Sequence, residues 1–182
     1  MKITLLGAAG DVTGSAYLVQ TSRSTVLVDF GMFQGGPELE AKNILPDQLA
    51  ISELDAVVLT HAHLDHSGRL PLLAGAGYRA PVYATPATIE MASLILRDSA
   101  KIQESDAHRA NRKRRQAGQE EIPPLYDSDD VEAILALMRD APYDLPVPVA
   151  PGTKVQFVEA GHMLGSTSIK MTVTERETDG KD

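Results

Sequence analysis

The sequence predicts an α/β fold with mixed sheets, and three observations lead to this class. Short strand-like runs near the N-terminus follow one another without helices between them, which predicts a meander at the start of a sheet. A strand, a polar loop, a short helix and another strand follow between residues 56 and 84, which is the order of a βαβ unit. The longest helical pattern begins directly afterwards. Part of the sheet is therefore expected to be parallel.

The first strands are predicted at residues 2–6, 15–20 and 25–29, where β-branched and aliphatic residues alternate. The glycine-rich segment 7–10 ends the first of them. This segment lacks the GK[ST] of a phosphate-binding loop and the full GxGxxG of a dinucleotide-binding fold, so both nucleotide-binding interpretations are rejected.

The middle of the chain contains the predicted βαβ unit. Residues 56–60 form an apolar strand that runs into a polar loop, residues 69–75 a short helix that ends at a glycine, and residues 81–84 a buried strand. Thr85 and Pro86 have the residue types of an N-cap and a first helical turn. The other predicted elements are a loop at 31–37, a helical turn at 38–43, a long helix to about residue 117, a surface loop at 119–130, a helix at 128–138, an extended segment at 143–151, strands at 154–159 and 168–174, and a polar turn at 175–182.

Composition indicates one domain spanning residues 1–182, with 43% hydrophobic and 23% charged residues. No apolar run is long enough to cross a membrane, and the first apolar residues are too few for a secretory signal. The absence of cysteine excludes disulfides and thiolate zinc sites, and a cytoplasmic location is the simplest inference. The formal net charge of −8 argues against general attraction to nucleic acid, although local charge and bound divalent metals can offset it.

Four side chains of metal-ligand type fall within six residues: His61, His63, Asp65 and His66. His61 and His63 are two residues apart, so they leave an extended backbone on the same face. Asp65 and His66 follow where the chain turns, and they can point toward a second position close by. This arrangement suits two metal ions. Zinc fits these ligands best, and manganese or iron would tolerate them.

Two other features carry less information. His108 stands alone on the long helix and receives no metal role, because isolated histidines are usually structural or solvated. The end of that helix is basic, with Arg112, Lys113, Arg114 and Arg115 in succession. This run is either a solvated helix end that complements the helix dipole or a contact for RNA phosphates, and the two interpretations have equal weight.

Four motifs together resemble a known family. Residues 61–66 resemble the HxHxDH signature of the metallo-β-lactamase superfamily. Residues 10–15, 27–35 and 161–166 resemble the β-CASP RNA-processing branch of that superfamily, which includes bacterial ribonucleases and the mRNA 3′-end processing endonuclease. The similarity runs from Met1 to about Thr174. The resemblance implies an αββα sandwich and a metal-dependent hydrolase that cleaves RNA with a metal-activated water.

The resemblance also implies roles for individual residues. His61, His63 and His162 would hold the first metal, and Asp65 and His66 would belong to the second. Asp65 would also accept the proton of the attacking water. Asp29, which ends an apolar strand, would orient the metal-bound histidines or their loop rather than merely form a turn before a glycine.

The sequence departs from the family at its C-terminal end. A bridging aspartate, the β-CASP domain and a later histidine are all expected after the strand that ends near Thr174. Asp179 lies in a predicted hairpin turn and is not assigned as the bridging ligand. The chain therefore resembles the N-terminal part of a longer enzyme. We expect a weak or empty second site, one zinc or fewer instead of two, low activity, and self-association or dimerisation through an unpaired strand edge.

Two other functions are compatible with parts of this pattern. A metallohydrolase of small esters, thioesters or lactams would keep the metal ligands, but the motifs at residues 12–15 and 33–35 argue against it. A non-catalytic scaffold with a degenerate site is the other; the full set of five predicted ligands argues against it for a full-length enzyme, and it stays an alternative for this chain.

Overall fold

The computed structural model describes residues 1–176, which form nine strands, five α-helices and one 3-10 helix at Ile51–Glu53. Asp179 and the predicted turn around it lie outside the described residues. The elements are β1 (Lys2–Gly7), β2 (Ala16–Gln20), β3 (Thr25–Val28), α1 (Pro37–Glu40), β4 (Ala56–Val58), α2 (Leu64–Ser67), α3 (Leu70–Gly75), β5 (Val82–Ala84), α4 (Pro86–Gln116), α5 (Ser128–Leu135), β6 (Met138–Asp140), β7 (Pro146–Ala150), β8 (Thr153–Glu159) and β9 (Thr167–Val173).

The larger sheet has six strands in sequence order, from β1 to β6. Its first three strands form an antiparallel meander, and β3, β4, β5 and β6 are parallel neighbours. Both the predicted meander and the predicted βαβ unit are therefore confirmed. Since parallel strands end at the same edge of a sheet, the loops that follow β3, β4 and β5 meet at one edge.

The smaller sheet contains β7, β8 and β9 in antiparallel order. It packs against the β3–β4 part of the larger sheet through an apolar cluster that includes Val26, Val58, Val155 and Phe157. Ile169 and Met171 of β9 point toward the same cluster, as their alternation in the sequence predicts. The two sheets thus form a sandwich with its own apolar interior.

The helices cover the opposite face of the larger sheet. The main core lies between them, and its fully buried members include Leu27, Val57, Leu73, Leu96 and Ile134. The described residues therefore form three layers, one of helices and two of sheets. The second helical layer of the predicted αββα sandwich is not formed within residues 1–176.

The long helix begins as predicted. Thr85 is the N-cap of α4, and its hydroxyl oxygen accepts a hydrogen bond from the Thr88 amide. The helix ends at Gln116, one residue before the predicted end. Among the described residues, no helix combines the length and the apolar character needed to span a membrane.

One predicted element is wrong. The helix predicted at residues 128–138 ends at Leu135, and Met138–Asp140 is instead strand β6, parallel to β5. The apolar residues 133–138 contain no turn residue that marks the change. Pairing with the sheet explains why residues 138–140 form a strand, since β5 has an open edge to which β6 pairs.

Candidate metal centre

The candidate ligands meet at the edge where β3, β4 and β8 end. Asp29 directly follows β3, and His61 lies three residues beyond the end of β4. His162 follows β8 in the loop that connects it to β9. The amide and the hydroxyl of Thr167 both donate to the Thr60 carbonyl, at 3.0 and 3.1 Å, and these bonds hold the two loops side by side.

Three histidines converge at this edge. One ring nitrogen from each of His61, His63 and His162 lies within 4.8 Å of the others. His63 Nδ1 and His162 Nε2 are 3.1 Å apart. Two nitrogens bound to one tetrahedral zinc ion at about 2.0–2.1 Å each would be about 3.3 Å apart. The donor type of all three residues and the spacing of this pair therefore fit a zinc-sized ion.

The environment of His61 keeps its imidazole neutral. Burial, together with the nearby imidazoles of His66, His63 and His162, lowers the pKa of His61 to about 4. The Nδ1 atom lies 3.0 Å from the Thr60 hydroxyl oxygen. Because Nδ1 is engaged by this contact, Nε2 is the ring nitrogen of His61 that remains available to bind a metal ion, and a neutral imidazole can do so.

Asp29 is 2% exposed and has a left-handed backbone, with φ of 56°. Its carboxylate accepts hydrogen bonds from the amide and the hydroxyl of Thr60, at 2.8 and 2.9 Å, and lies 2.7 Å from His66 Nδ1. Burial acts to lower the pKa of His66, but the bond to Asp29 and the charges of Asp29 and Asp65 raise it overall. Asp29 thus fixes both the start of the histidine loop and the ring of His66.

Asp65 and His66 lie on α2, a helix of only four residues. Asp65 Oδ2 is 3.8 Å from His66 Nε2, so the two side chains face a common point. Within residues 1–176, no third histidine or carboxylate joins them to form a compact ligand group. The structure therefore forms a three-histidine cluster (His61, His63 and His162) and, directly beside it, a two-residue cluster (Asp65 and His66), with the ring centres of His61 and His66 4.0 Å apart.

Backbone hydrogen bonds hold α2 in place. The amides of Ser15, Phe30 and Met32 donate to the carbonyls of Asp65, His66 and Leu64, respectively, at 2.7–2.8 Å. A side chain at Gly31 would place its Cβ 1.6 Å from the Asp65 carbonyl oxygen. Only glycine permits this approach. The sequence analysis used Phe30 and Gly31 only as part of the motif at residues 27–35 and did not assign Gly31 this packing role.

Arg69 is a second residue that the sequence analysis missed. It is 1% exposed, and its guanidinium lies against the rings of Phe30 and Phe33, at 4.2 and 4.7 Å from their centroids. Its Nε donates to the Gly31 carbonyl, and one terminal nitrogen donates to Ile44. Burial lowers the pKa of Arg69 to about 10, so it stays charged at neutral pH. Arg69 holds the loop after β3 against the helices that follow the metal-ligand motif.

A cavity of about 300 Å³ opens beside the histidines, between the two sheets. Its lining includes His61, His66, His162, Asp29 and Ser166. It is open to solvent and polar at the histidine end. A phosphate-sized group can therefore reach the edge where the candidate ligands meet.

The basic run is at the opposite end of α4 from its N-cap, Thr85, which directly follows β5. Arg112, Lys113 and Arg115 are exposed at the C-terminal end of α4, and Arg114 is half-buried. Arg115 pairs with Glu121 at 3.0 Å, whereas no described carboxylate pairs with Arg112 or Lys113. His108 is exposed on the same helix and is not part of the three-histidine cluster.

Sequence and structure comparisons identify the class. The sequence profile of the Metallo-beta-lactamase superfamily matches residues 9–163. The chain belongs to the metallo-β-lactamase superfamily. It is similar over 93% of its length to solved YhfI from Bacillus subtilis, a metallo-β-lactamase fold protein, with a TM-score of 0.53 and 20% identity. The chain covers 58% of that protein, and the likeness concerns the fold alone.

Curated relatives are more similar in sequence. Ribonuclease TTHA0252 of Thermus thermophilus is 39% identical over 169 residues, which are 93% of this chain and 34% of that protein. Transcription termination factor FttA of Cenarchaeum symbiosum is 35% identical over 168 residues, which are 91% of this chain and 24% of that protein. The chain thus spans about a third or less of the length of these relatives.

Proposed function

We propose that this chain carries the metal-binding part of an RNA-cleaving hydrolase of the β-CASP branch. The observation that supports this most is the convergence of His61, His63 and His162 in a chain whose relatives include a ribonuclease. We assign zinc as the metal, because its preferred tetrahedral nitrogen ligands match this set. The histidines would hold the first ion, and Asp65 and His66 would contribute to a second.

The proposed reaction is hydrolysis of a phosphodiester bond. Zinc, when bound, would supply a Lewis acid that makes water nucleophilic near neutral pH. Asp65, whose side chain is 30% exposed beside His66, would accept the proton of the attacking water. Asp29 would keep the ring of His66 oriented through its 2.7 Å bond to Nδ1. No serine or cysteine nucleophile is required.

The basic end of α4 would contact RNA away from the bond that is cleaved. Ile95 of α4 lines a cavity together with Leu64, which is next to His63. Arg112 follows Ile95 by 17 residues, and at about 1.5 Å per residue this places it about 25 Å farther along the helix. Arg112, Lys113, Arg114 and Arg115 would therefore bind phosphates several nucleotides from the metal centre and add electrostatic attraction rather than catalysis.

Two further assignments depend on this function. A cytoplasmic location suits an enzyme whose substrate is RNA and whose sequence has no cysteine. We also propose that the chain self-associates through β9. This strand pairs with β8 on one side and forms an edge of the smaller sheet within the described residues.

The experiment that tests the function combines metal content with activity. Native mass spectrometry of purified protein should find about one zinc per chain, and His61→Ala should lose it, since three donors come from this chain. The zinc-loaded protein should cleave RNA slowly and leave a thioester and a β-lactam intact. Absence of zinc in the wild-type protein would refute the metal assignment. Hydrolysis of the thioester or the β-lactam without cleavage of RNA would refute RNA as the substrate.

A further inference from the structure

The loop that carries His162 is held by the start of α4. The hydroxyl of Thr88 donates to the carbonyl of Gly165 at 2.8 Å. Thr85 Oγ1 lies 2.8 Å from the same carbonyl oxygen and 3.0 Å from Thr88 Oγ1, and its single proton is donated to one of these two acceptors. A carbonyl oxygen has two lone pairs, so it can accept a bond from each hydroxyl. Thr85 and Thr88 are 1% and 0% exposed, and water does not compete for these bonds.

Capping of the helix explains only one of the two hydroxyls. Thr85 is the N-cap, and its oxygen accepts the bond from the Thr88 amide. Thr88 is the third residue of the helix, where a side-chain hydroxyl is not needed for capping. Its hydroxyl nevertheless points at a carbonyl 77 residues away in sequence. A buried hydroxyl needs some partner, but this partner belongs to the loop of a candidate ligand.

Hydrogen bonds within the loop connect Gly165 to His162, so the position of Gly165 determines that of the His162 backbone. Ser166 Oγ accepts hydrogen bonds from the amides of His162 and Met163, both at 3.1 Å, and the Ser166 amide donates to the Met163 carbonyl. Gly165 has φ of 91°, and a Cβ there would lie 2.5 Å from the Thr88 nitrogen. The loop thus has a tight internal turn that sits directly on the helix start.

We propose that Thr88, with Thr85, is a positioning residue for the metal centre. The hydroxyl of Thr88 fixes the Gly165 carbonyl, and the Gly165–Ser166 turn fixes the backbone of His162. His162 is therefore held facing His61 and His63 before a metal binds. Metal binding then does not lose the entropy that ordering a free loop would cost. This inference rests on the proposed metal role of His162. It adds a residue that contacts neither the metal nor the substrate but sets the affinity of the site.

The test compares Thr88→Val with Thr88→Ser and with a matched control. Valine keeps the shape and removes the hydroxyl, whereas serine keeps the hydroxyl. Thr153→Val is the control, since Thr153 is 1% exposed and its hydroxyl contacts Ser24 at the opposite end of β8. Zinc affinity measured by competition with a chromophoric chelator should weaken about 10-fold in Thr88→Val. It should remain at the wild-type value in Thr88→Ser and Thr153→Val.

A second measurement needs no metal. Amide hydrogen exchange at Ser166 and Thr167 should accelerate in metal-free Thr88→Val but not in Thr153→Val, although both variants lose a buried hydroxyl bond. Equal zinc affinity in Thr88→Val and wild type, or equal losses in Thr88→Val and Thr153→Val, would overturn the proposal. Unchanged exchange in Thr88→Val would overturn it as well. Failure of the wild type to bind zinc would refute the proposed metal function, and the exchange data would still decide whether Thr88 holds the loop.

Discussion

The three-histidine cluster and the two-residue cluster lie at the same edge of the sheet but are built differently. His61 and His63 come from the loop after β4, and His162 comes from the loop after β8, about a hundred residues later. Asp65 and His66 are neighbours on the single turn of α2. Donors from two separate loops can surround a point, whereas two adjacent residues approach it from one side.

The partners of the two clusters differ as well. His66 directs Nδ1 to Asp29, so only Nε2 is available to an ion, beside an Asp65 oxygen 3.8 Å away. His63 and His162 direct ring nitrogens at each other across 3.1 Å. Without a cation, one of these rings can donate its N–H to the other, and with a cation both nitrogens can act as ligands. The first cluster therefore offers three converging nitrogen atoms, and the second offers only two ligand atoms.

The largest expected effect separates the clusters directly. His162→Ala removes one of three donors and should lower zinc affinity about 100-fold, since a full set of four ligands contributes about 10–16 kcal/mol. Asp65→Ala should leave the affinity for the first zinc nearly unchanged. Isothermal competition titration with both variants gives the comparison. Equal losses in the two variants would mean that the clusters act as one site.

Much of this architecture could be predicted because its signals are local. The alternation in residues 2–29 defines the meander, and Thr85-Pro86 defines the start of α4. The His-x-His spacing places His61 and His63 on one loop after a strand. His162 is not local to that loop, and only its resemblance to a family motif associated it with the cluster.

The parts that sequence reasoning missed depend on distant contacts. Strand β6 has three residues and follows α5 without a glycine or proline, so only the open edge of β5 distinguishes it from a helix end. The sequence predicts Arg69 only as the first residue of a short helix, and its burial follows from two phenylalanines more than 35 residues earlier. In the sequence, Thr88 cannot be distinguished from any other helix residue. Its role depends on the Gly165 carbonyl, which accepts its hydroxyl bond and lies in the distant loop after β8.

Substitution of Asp29, which holds His66 of the two-residue cluster, should have an effect of intermediate size. Asp29→Asn keeps a residue that tolerates positive φ but weakens the bonds to Thr60 and His66. We expect urea unfolding of the metal-free protein to show a loss of about 1–3 kcal/mol. Asp55→Asn is the control, because Asp55 accepts one backbone bond, from Thr25, at the far end of the same strands. If Asp55→Asn lowers the free energy of unfolding more than Asp29→Asn does, Asp29 does not have the stabilising role assigned to it.

The smallest effect concerns the basic end of α4, which touches neither cluster. Arg112→Ala combined with Lys113→Ala should leave zinc affinity unchanged and reduce the salt dependence of binding to single-stranded RNA. Each phosphate contact contributes about 0.7 to that slope, so the double variant should lose about 1.4. Fluorescence anisotropy with labelled oligonucleotides at several salt concentrations measures it.

The length of the RNA provides a control for the proposed contact between the basic end of α4 and RNA phosphates. The basic run lies about 25 Å along α4 from the residues near His63, so an oligonucleotide of three or fewer residues cannot reach both. The double variant should bind such short RNA like wild type and bind longer RNA more weakly. Arg97→Ala controls for loss of charge on the same helix, since Arg97 already pairs with Glu132. If Arg97→Ala weakens binding of long RNA as much as the double variant, the effect comes from net charge. The basic run would then be a solvated helix end, and the two clusters would account for all specific contacts with the substrate.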